Sequence, residues 1–200
     1  MELTSFVARV LAKAPTASTP PASYQLQTWA HGGRPTDEAF GILAIPGLDP
    51  QKAIDAVMDV DHYTGHIDHV QACRAVPDPR HLPPEQVRFY QRLDVPMLGV
   101  IHHELVLQRL GTQKGYLVAG WDILKPETAA LNAKDGIRSD YSHGVWIAAP
   151  GVLGYAFGSA PKRDDVGFLK WKALTSGADV AAGRVLRANI EGMGRWAAKR

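Results

Sequence analysis

Residues 177–200, "GADVAAGRVLRANIEGMGRWAAKR", constrain the fold more than any other stretch of this chain. Val185, Leu186, Asn189, Ile190, Met193, Trp196 and Ala197 fall on one stripe at helical spacing. Arg184, Arg187, Glu191 and Arg195 lie elsewhere on the wheel. Asp179 suits the N-cap, and Lys199 and Arg200 suit the C-terminal end of a helix dipole. A helix of about 20 residues is about 30 Å long. Such a stripe needs an apolar surface of similar length, and the preceding chain must supply it.

That chain reads mostly as strands. "QVRFYQRLDVP" (86–96) alternates, with Val87, Phe89, Gln91 and Leu93 on one face and Arg88, Tyr90, Arg92 and Asp94 on the other. The second set reads as a solvated outer face. "GVIHHELVLQRLG" (99–111) turns through "GTQKG" into "YLVAGWDIL" (116–124), a hairpin signal. "HVQACRAV" (69–76) is a further strand. "SHGVWIAAPGVLGYAFGSAP" (142–161) gives two short strands or one strand kinked at Pro150-Gly151, and "VGFLKWKALTS" (166–176) reads as the last strand. Between them, "KPETAALNAKDGIRSD" (125–140) is a long excursion with room for one helical turn.

Upstream, "EAFGILAIPGL" (38–48) is a strand ending at Pro46-Gly47. "DPQKAIDAVMDV" (49–60) is a helix capped by Asp49, with Pro50 at its first position and Ala53, Ile54, Val57 and Met58 on one face. "DHYTGHIDHV" (61–70) is a second short helix, or a turn breaking at Gly65. "ELTSFVARVLAK" (2–13) places Phe6, Val7, Val10 and Leu11 at helical spacing, and "APTASTPPAS" (14–23) is a linker. The chain therefore divides into an N-terminal helix and linker, 1–23, and one domain, 24–200. The first helix is expected to pack on that domain rather than on a partner.

Composition narrows the function classes. A hydrophobic content of 46% and charged content of 21% suit an ordinary globular domain. A net charge of +2, with no run of Lys or Arg, gives no reason to expect nucleic acid. Cys73 is the single cysteine, which excludes an internal disulfide and a Cys-based zinc motif, and a cytoplasmic setting is the natural expectation. The N-terminus lacks a basic start and a long apolar core, so it does not read as a signal peptide. No apolar run reaches about 18 residues, so no stable membrane insertion is expected. The sequence carries no signature of a particular oligomeric state.

One strand, two short helices, about six antiparallel strands and a long amphipathic helix make an α+β protein. In that order the chain resembles the helix-grip fold of the START-like (SRPBCC, Bet v 1-like) superfamily over roughly residues 37–200. "DVDHYTGHIDHVQACRAV" resembles the family's helix pair feeding the second strand, and "FYQRLDVPMLGVIHHELVL" resembles its strand-Pro-strand hairpin. The family often carries Arg-Asp after that proline, where this chain has His103-Glu104. The resemblance implies a curved antiparallel sheet wrapped around the C-terminal helix. It also implies an internal cavity for a hydrophobic small molecule such as a lipid, sterol or polyketide. Binding, transport or sensing is the leading expectation. A cyclase- or hydrolase-type enzyme in the same cavity, and a protein- or membrane-interaction module with transient membrane contact, are the alternatives.

Strand parity sorts the polar residues. His102, His103 and Glu104 cannot share a face. Ile101, His103, Leu105 and Leu107 form the more apolar set, so His103 is expected inward and His102 and Glu104 outward. His103, Gln91 and Tyr155 are the candidate polar handles. Phe89, Leu105, Leu117, Trp121 and Trp171 are the candidate walls on the strands, with Ile190 and Met193 on the helix. A catalytic His103 remains the sharper alternative to a handle or a satisfied core histidine. His62, His66 and His69 have i, i+4, i+7 spacing, but Gly65 interrupts them, so no metal is expected. No cofactor motif is present: there is no P-loop, dinucleotide fingerprint or nucleophile elbow, and Asp140, Ser142 and His143 are too close in sequence for the usual triad.

Overall fold

The computed structural model describes residues 2–95, 99–124, 136–176 and 178–200. The chain begins with α1 (Glu2–Lys13), then β1 (Gln25–Trp29) and β2 (Glu38–Ala44). Asp49 caps α2 (Pro50–Met58): its carboxylate accepts from the N–H of Gln51 at 2.8 Å and of Lys52 at 3.3 Å. A 3-10 turn, Val60–His62, follows, and Gly65 takes φ 84°. Then come β3 (Val70–Ala75), β4 (Gln86–Val95), β5 (Gly99–Gln113), β6 (Tyr116–Ile123), β7 (Ser139–Ala149) and β8 (Val152–Pro161). Last are α3 (Arg163–Val166), α4 (Phe168–Ser176) and α5 (Ala178–Ala197).

The strands form one antiparallel sheet in the order β1-β2-β8-β7-β6-β5-β4-β3. The architecture is α+β and helix-grip: a curved open sheet with α2 and α5 on its concave face. The segment 142–161 is a hairpin of two strands that turns at Pro150-Gly151. Two sequence expectations change. Residues 166–176, read as a strand, form α4 and the end of α3. The physical reason is pairing: β8 already lies between β2 and β7, so a further strand there has no open edge to join. Conversely, Gln25–Trp29, outside the stretch that resembles the family, pairs with β2 as an edge strand. Of the long excursion, residues 125–135 lie outside the described residues. Its Ile137 bridges Ile101 in parallel.

Directly paired residues share a face, so the register assigns both sides of the sheet. Phe89, Leu105, Leu107, Trp121 and Trp146 face inward and meet Ala53, Ile54 and Val57 of α2 and Ile190, Met193 and Trp196 of α5. α5 sits close because Gly192 lies against the His66 carbonyl, where a Cβ would collide. On the convex face, α1 packs Phe6, Val7, Val10 and Leu11 onto Phe40, Ile42, Val118, Val145 and Ile147. Beside this layer Glu38 is fully buried. It accepts from Arg9 Nε at 2.9 Å, Arg9 Nη2 at 2.5 Å and Trp29 Nε1 at 2.6 Å, with His143 Nε2 at 3.3 Å. Burial alone would raise its pKa, but the Arg9 and Trp29 donors outweigh that and hold it below the usual carboxylate value.

The convex face of β4 and β5 is also corrected. Arg88, read as solvated, is buried, and so are His102 and Glu104. Arg88 donates to Glu104 at 2.7 Å and to Asp78 at 3.2 Å, and Asp78 also takes two bonds from the Arg80 guanidinium. Tyr90 OH lies 2.6 Å from His102 Nδ1, with the rings stacked. The loop bearing Asp78 folds over these strands, and Gly136 lies against the His102 ring. Strand parity cannot reveal such long-range cover.

The packing of α1 gives a direct test. Phe6→Ala should cost about 3–5 kcal/mol. In urea unfolding the midpoint should fall with little change in slope. An unchanged midpoint would mean that the first helix is a loosely attached appendage.

Candidate functional site

The concave face is built from rows of paired residues. Leu107, Trp121, Gly144 and Phe157 lie side by side across β5 to β8. The next row toward the hairpin turn at Pro150-Gly151 holds Ala119, Trp146, Tyr155 and Gly41. In the other direction come Phe89, Leu105 and Ile123, with Ser142 opposite Ser159, and beyond them Gln91 opposite His103. Successive inward residues are about 7 Å apart along a strand. The face is therefore aromatic at one end and polar at the other.

The aromatic rings lie against one another. Trp146 stacks on Tyr155 with centroids 4.1 Å apart and planes 14° from parallel. Trp121 lies 5.5 Å from Tyr155 at 29°, and Phe157 lies 5.8 Å from it. Gly144 makes this possible, because a Cβ there would run into the Trp121 indole. Tyr155 and Phe157 sit on an inner strand of the sheet yet are only partly buried. Part of each ring is therefore left uncovered by the helices.

The polar groups divide into tied and untied. His103 is buried, and its Nε2 lies 2.7 Å from Ser139 Oγ. Burial, with His102 adding to it, pushes the His103 pKa down to about 4, so the ring is neutral near pH 7. The side-chain polar ends of Gln91, Ser142 and Tyr155 bond to no described protein group, and none is sealed into dry packing. Gln91 and Ser142 are 8% and 4% exposed as residues, so both are largely buried. Burial raises the Tyr155 pKa, which keeps its hydroxyl protonated.

The residues singled out from sequence fall into three groups. Gln91, His103, Leu117, Trp121 and Tyr155 are on the concave face, with Phe89 and Leu105 beside them. Ile190 and Met193 are on α5 with no exposed surface, packed in the solid part of the core. Trp171 is on α4, not on a strand, and its indole N–H is buried without an acceptor among the described residues. Sequence reasoning passed over Ser142 and Phe157. The signal was present in the alternation Ser142, Gly144, Trp146, which places the serine on the same face as the tryptophan. His62, His66 and His69 do not converge: His62 pairs with Asp59, and His66 stacks on Trp196 at 4.7 Å. Among the described residues no group of His, Cys, Asp and Glu is placed to hold a metal.

A depression of about 280 Å³ opens between α2, the 3-10 turn, β3, β4 and β5, lined in part by the inward-facing Val87 and Arg109. Among its charged walls, Arg109 pairs with Asp55 at 2.6 Å and Arg200 pairs with Asp59, while the Asp61 carboxylate accepts from the Ala75 N–H at 2.7 Å.

No family model and no curated protein matches the sequence. Solved structures match the architecture. Human StAR-related lipid transfer protein 5 superposes with a TM-score of 0.69 at 10% identity, over 99% of this chain and 96% of its own. A STAR-related lipid transfer protein fragment from Xanthomonas axonopodis gives 0.68 at 12%, over 88% and 96%. The chain has the START-like fold. The Zhui aromatase/cyclase from Streptomyces shares it more distantly, at 0.50 and 13%, over 88% and 96%. The likeness is one of architecture. At such identities it leaves the chemistry to this chain's own residues.

Two buried histidines make stability depend on pH. His103 and His143 both have pKa values lowered to about 4, His143 by burial first and then by Arg34. Between the unfolded value near 6.5 and about 4, the unfolded chain binds protons that the folded chain does not, so stability falls as pH falls through that window. His103→Gln should reduce the stability difference between about pH 7 and about pH 4.5 by on the order of 2–3 kcal/mol. Urea titrations of both proteins at the two pH values check this, and an undiminished difference would place the proton uptake elsewhere.

Proposed function

We propose that this chain binds a hydrophobic small molecule between the concave face and α5, and that it carries or senses the molecule rather than transforming it. The observation that carries this reading is the apolar, aromatic concave face, on which Tyr155 and Phe157 of an inner strand stay only partly buried. The naming of two architectural neighbours as lipid transfer proteins supports the same reading. Acid–base catalysis is the weaker choice, because His103 is tied to Ser139 and no described carboxylate lies beside it.

Loading takes place at a membrane surface. Phe168 and Leu169 on α4 are 52% and 81% exposed, with Lys162 and Arg163 close in sequence. An exposed apolar tip of this kind suits a membrane interface. No described helix is long and apolar enough to cross one.

The decisive experiment is native mass spectrometry of the protein purified from its own cells. The expected spectrum shows the chain plus a small molecule that organic extraction removes. Ser142→Phe, which places a ring on the concave face, should reduce the adduct by at least about tenfold. A bare chain from fresh lysate would overturn the proposal.

A further inference from the structure

The two ends of the sheet are finished differently. We propose that β1, the unprotected end, is an interaction edge for a second copy of this chain, β1 pairing with β1 antiparallel about a two-fold axis.

At the β3 end a further strand is turned away. The register against β4 shifts between Val70 and Ala72, which breaks the regular ladder. Val76 donates to the Arg88 carbonyl of β4 at 2.8 Å, so the N–H of Ala75 before it points outward. Asp61 already accepts from that N–H at 2.7 Å. Arg74 adds an exposed charge. An irregular register, a charge and an occupied donor all blunt an edge.

The β1 end has none of these. All five residues of β1 pair with β2 without a break in register. Residues 14–33 contain no Lys, Arg, Asp or Glu, in a chain that is 21% charged. Among the described residues, nothing bonds to the backbone groups on the outer side of β1. The polar side chains of β1 are tied back instead: Gln27 Nε2 donates to the Lys13 carbonyl at 3.2 Å, and Trp29 Nε1 to Glu38. Leu26 is left 42% exposed at this edge.

Charge and symmetry select a second copy. A charged partner strand would find no counter-charge along β1, whereas β1 itself brings none. Two cations flank the strand, Lys13 over the Trp29 ring at 4.7 Å and Arg187 over the Tyr24 ring at 5.8 Å. They stand on opposite faces of the sheet, and Arg187 is paired with Glu191, so antiparallel pairing does not set them against each other. A strand paired with its own copy matches each outward donor with an acceptor, and one patch serves both molecules. The pairing consumes both open edges and leaves two blunted β3 edges outside, so the joined sheet closes at two copies. A five-residue strand pair buries less than a standard interface, so the dimer exchanges with monomer and its extent depends on concentration.

Sedimentation velocity on the full chain from about 1 μM to about 200 μM tests this. The weight-average coefficient should rise toward the value of a dimer and no further. Thr28→Lys and Gln25→Lys, two independent changes at exposed β1 positions, should each raise the dissociation constant at least about tenfold. Gln71→Lys on the β3 edge should leave it unchanged. Hydrogen exchange should slow over residues 25–29, and not over 70–75, as concentration rises. A chain that stays monomeric throughout, leaving the edge to a strand of another protein, would overturn the proposal. So would assembly beyond two copies, or a dimer indifferent to both β1 lysines.

Discussion

The register of β4 against β5 holds the site in place, and the buried ion network on the convex face holds that register. Arg88 on β4 reaches diagonally to Glu104 on β5, and Asp78 joins from the neighbouring loop. A slip of one residue would turn these charges toward the concave face and Gln91 and His103 away from it. Breaking one partner of a buried pair leaves an uncompensated charge, a large penalty for any alternative pairing. The convex network and the concave polar row are thus two consequences of one alignment. The polarity of the concave side is set by where the ions on the other side must stay.

How far the sequence revealed this depends on the range of the interactions. The alternation in "QVRFYQRLDV" and the apolar set Ile101, Leu105 and Leu107 are local, and they were enough to turn His103 inward. The Asp49-Pro50 start of α2 and the stripe of α5 are local too. What stayed hidden depends on distant parts of the chain. "VGFLKWKALTS" has a plausible strand period, but whether it pairs is decided by the neighbours β8 already has. "QLQTW" is short and rich in glutamine, and it becomes a strand because β2 offers an edge. Arg88 looked solvated because nothing in its own strand announces a loop folding over it.

Within the site, the legible part was identity and the illegible part was packing. Tyr155, Trp121 and Gln91 were selected by face and chemistry, and they stand on the concave side. Ile190 and Met193 met the same criteria, yet α2 closes over them and leaves no surface. The difference is which half of the face the helices cover. α5 approaches the 3-10 region at Gly192 and the start of the β2–α2 loop at Gly194, because a side chain at either position would collide. That brings its C-terminal half down onto the core, while Tyr155 and Phe157 stay only partly buried. A few glycines therefore set where the solid core ends.

β7 ties the two faces together more directly than any helix. Ser142 and Gly144 point to the concave side, while His143 between them points to the convex side, under α1 and against Phe6 at 4.5 Å. His143 is enclosed by Glu38, Arg34 and Tyr141, so its neutral ring has a structural explanation within the protein. His103, equally buried and also neutral, is tied at one nitrogen and stands beside the unpaired amide of Gln91. Two histidines with the same lowered pKa therefore have different meanings, and burial alone does not separate them. The distinction lies in what remains unsatisfied next to each ring. Next to His143 the neighbouring groups already pair with one another, and next to His103 the Gln91 amide bonds to no described protein group.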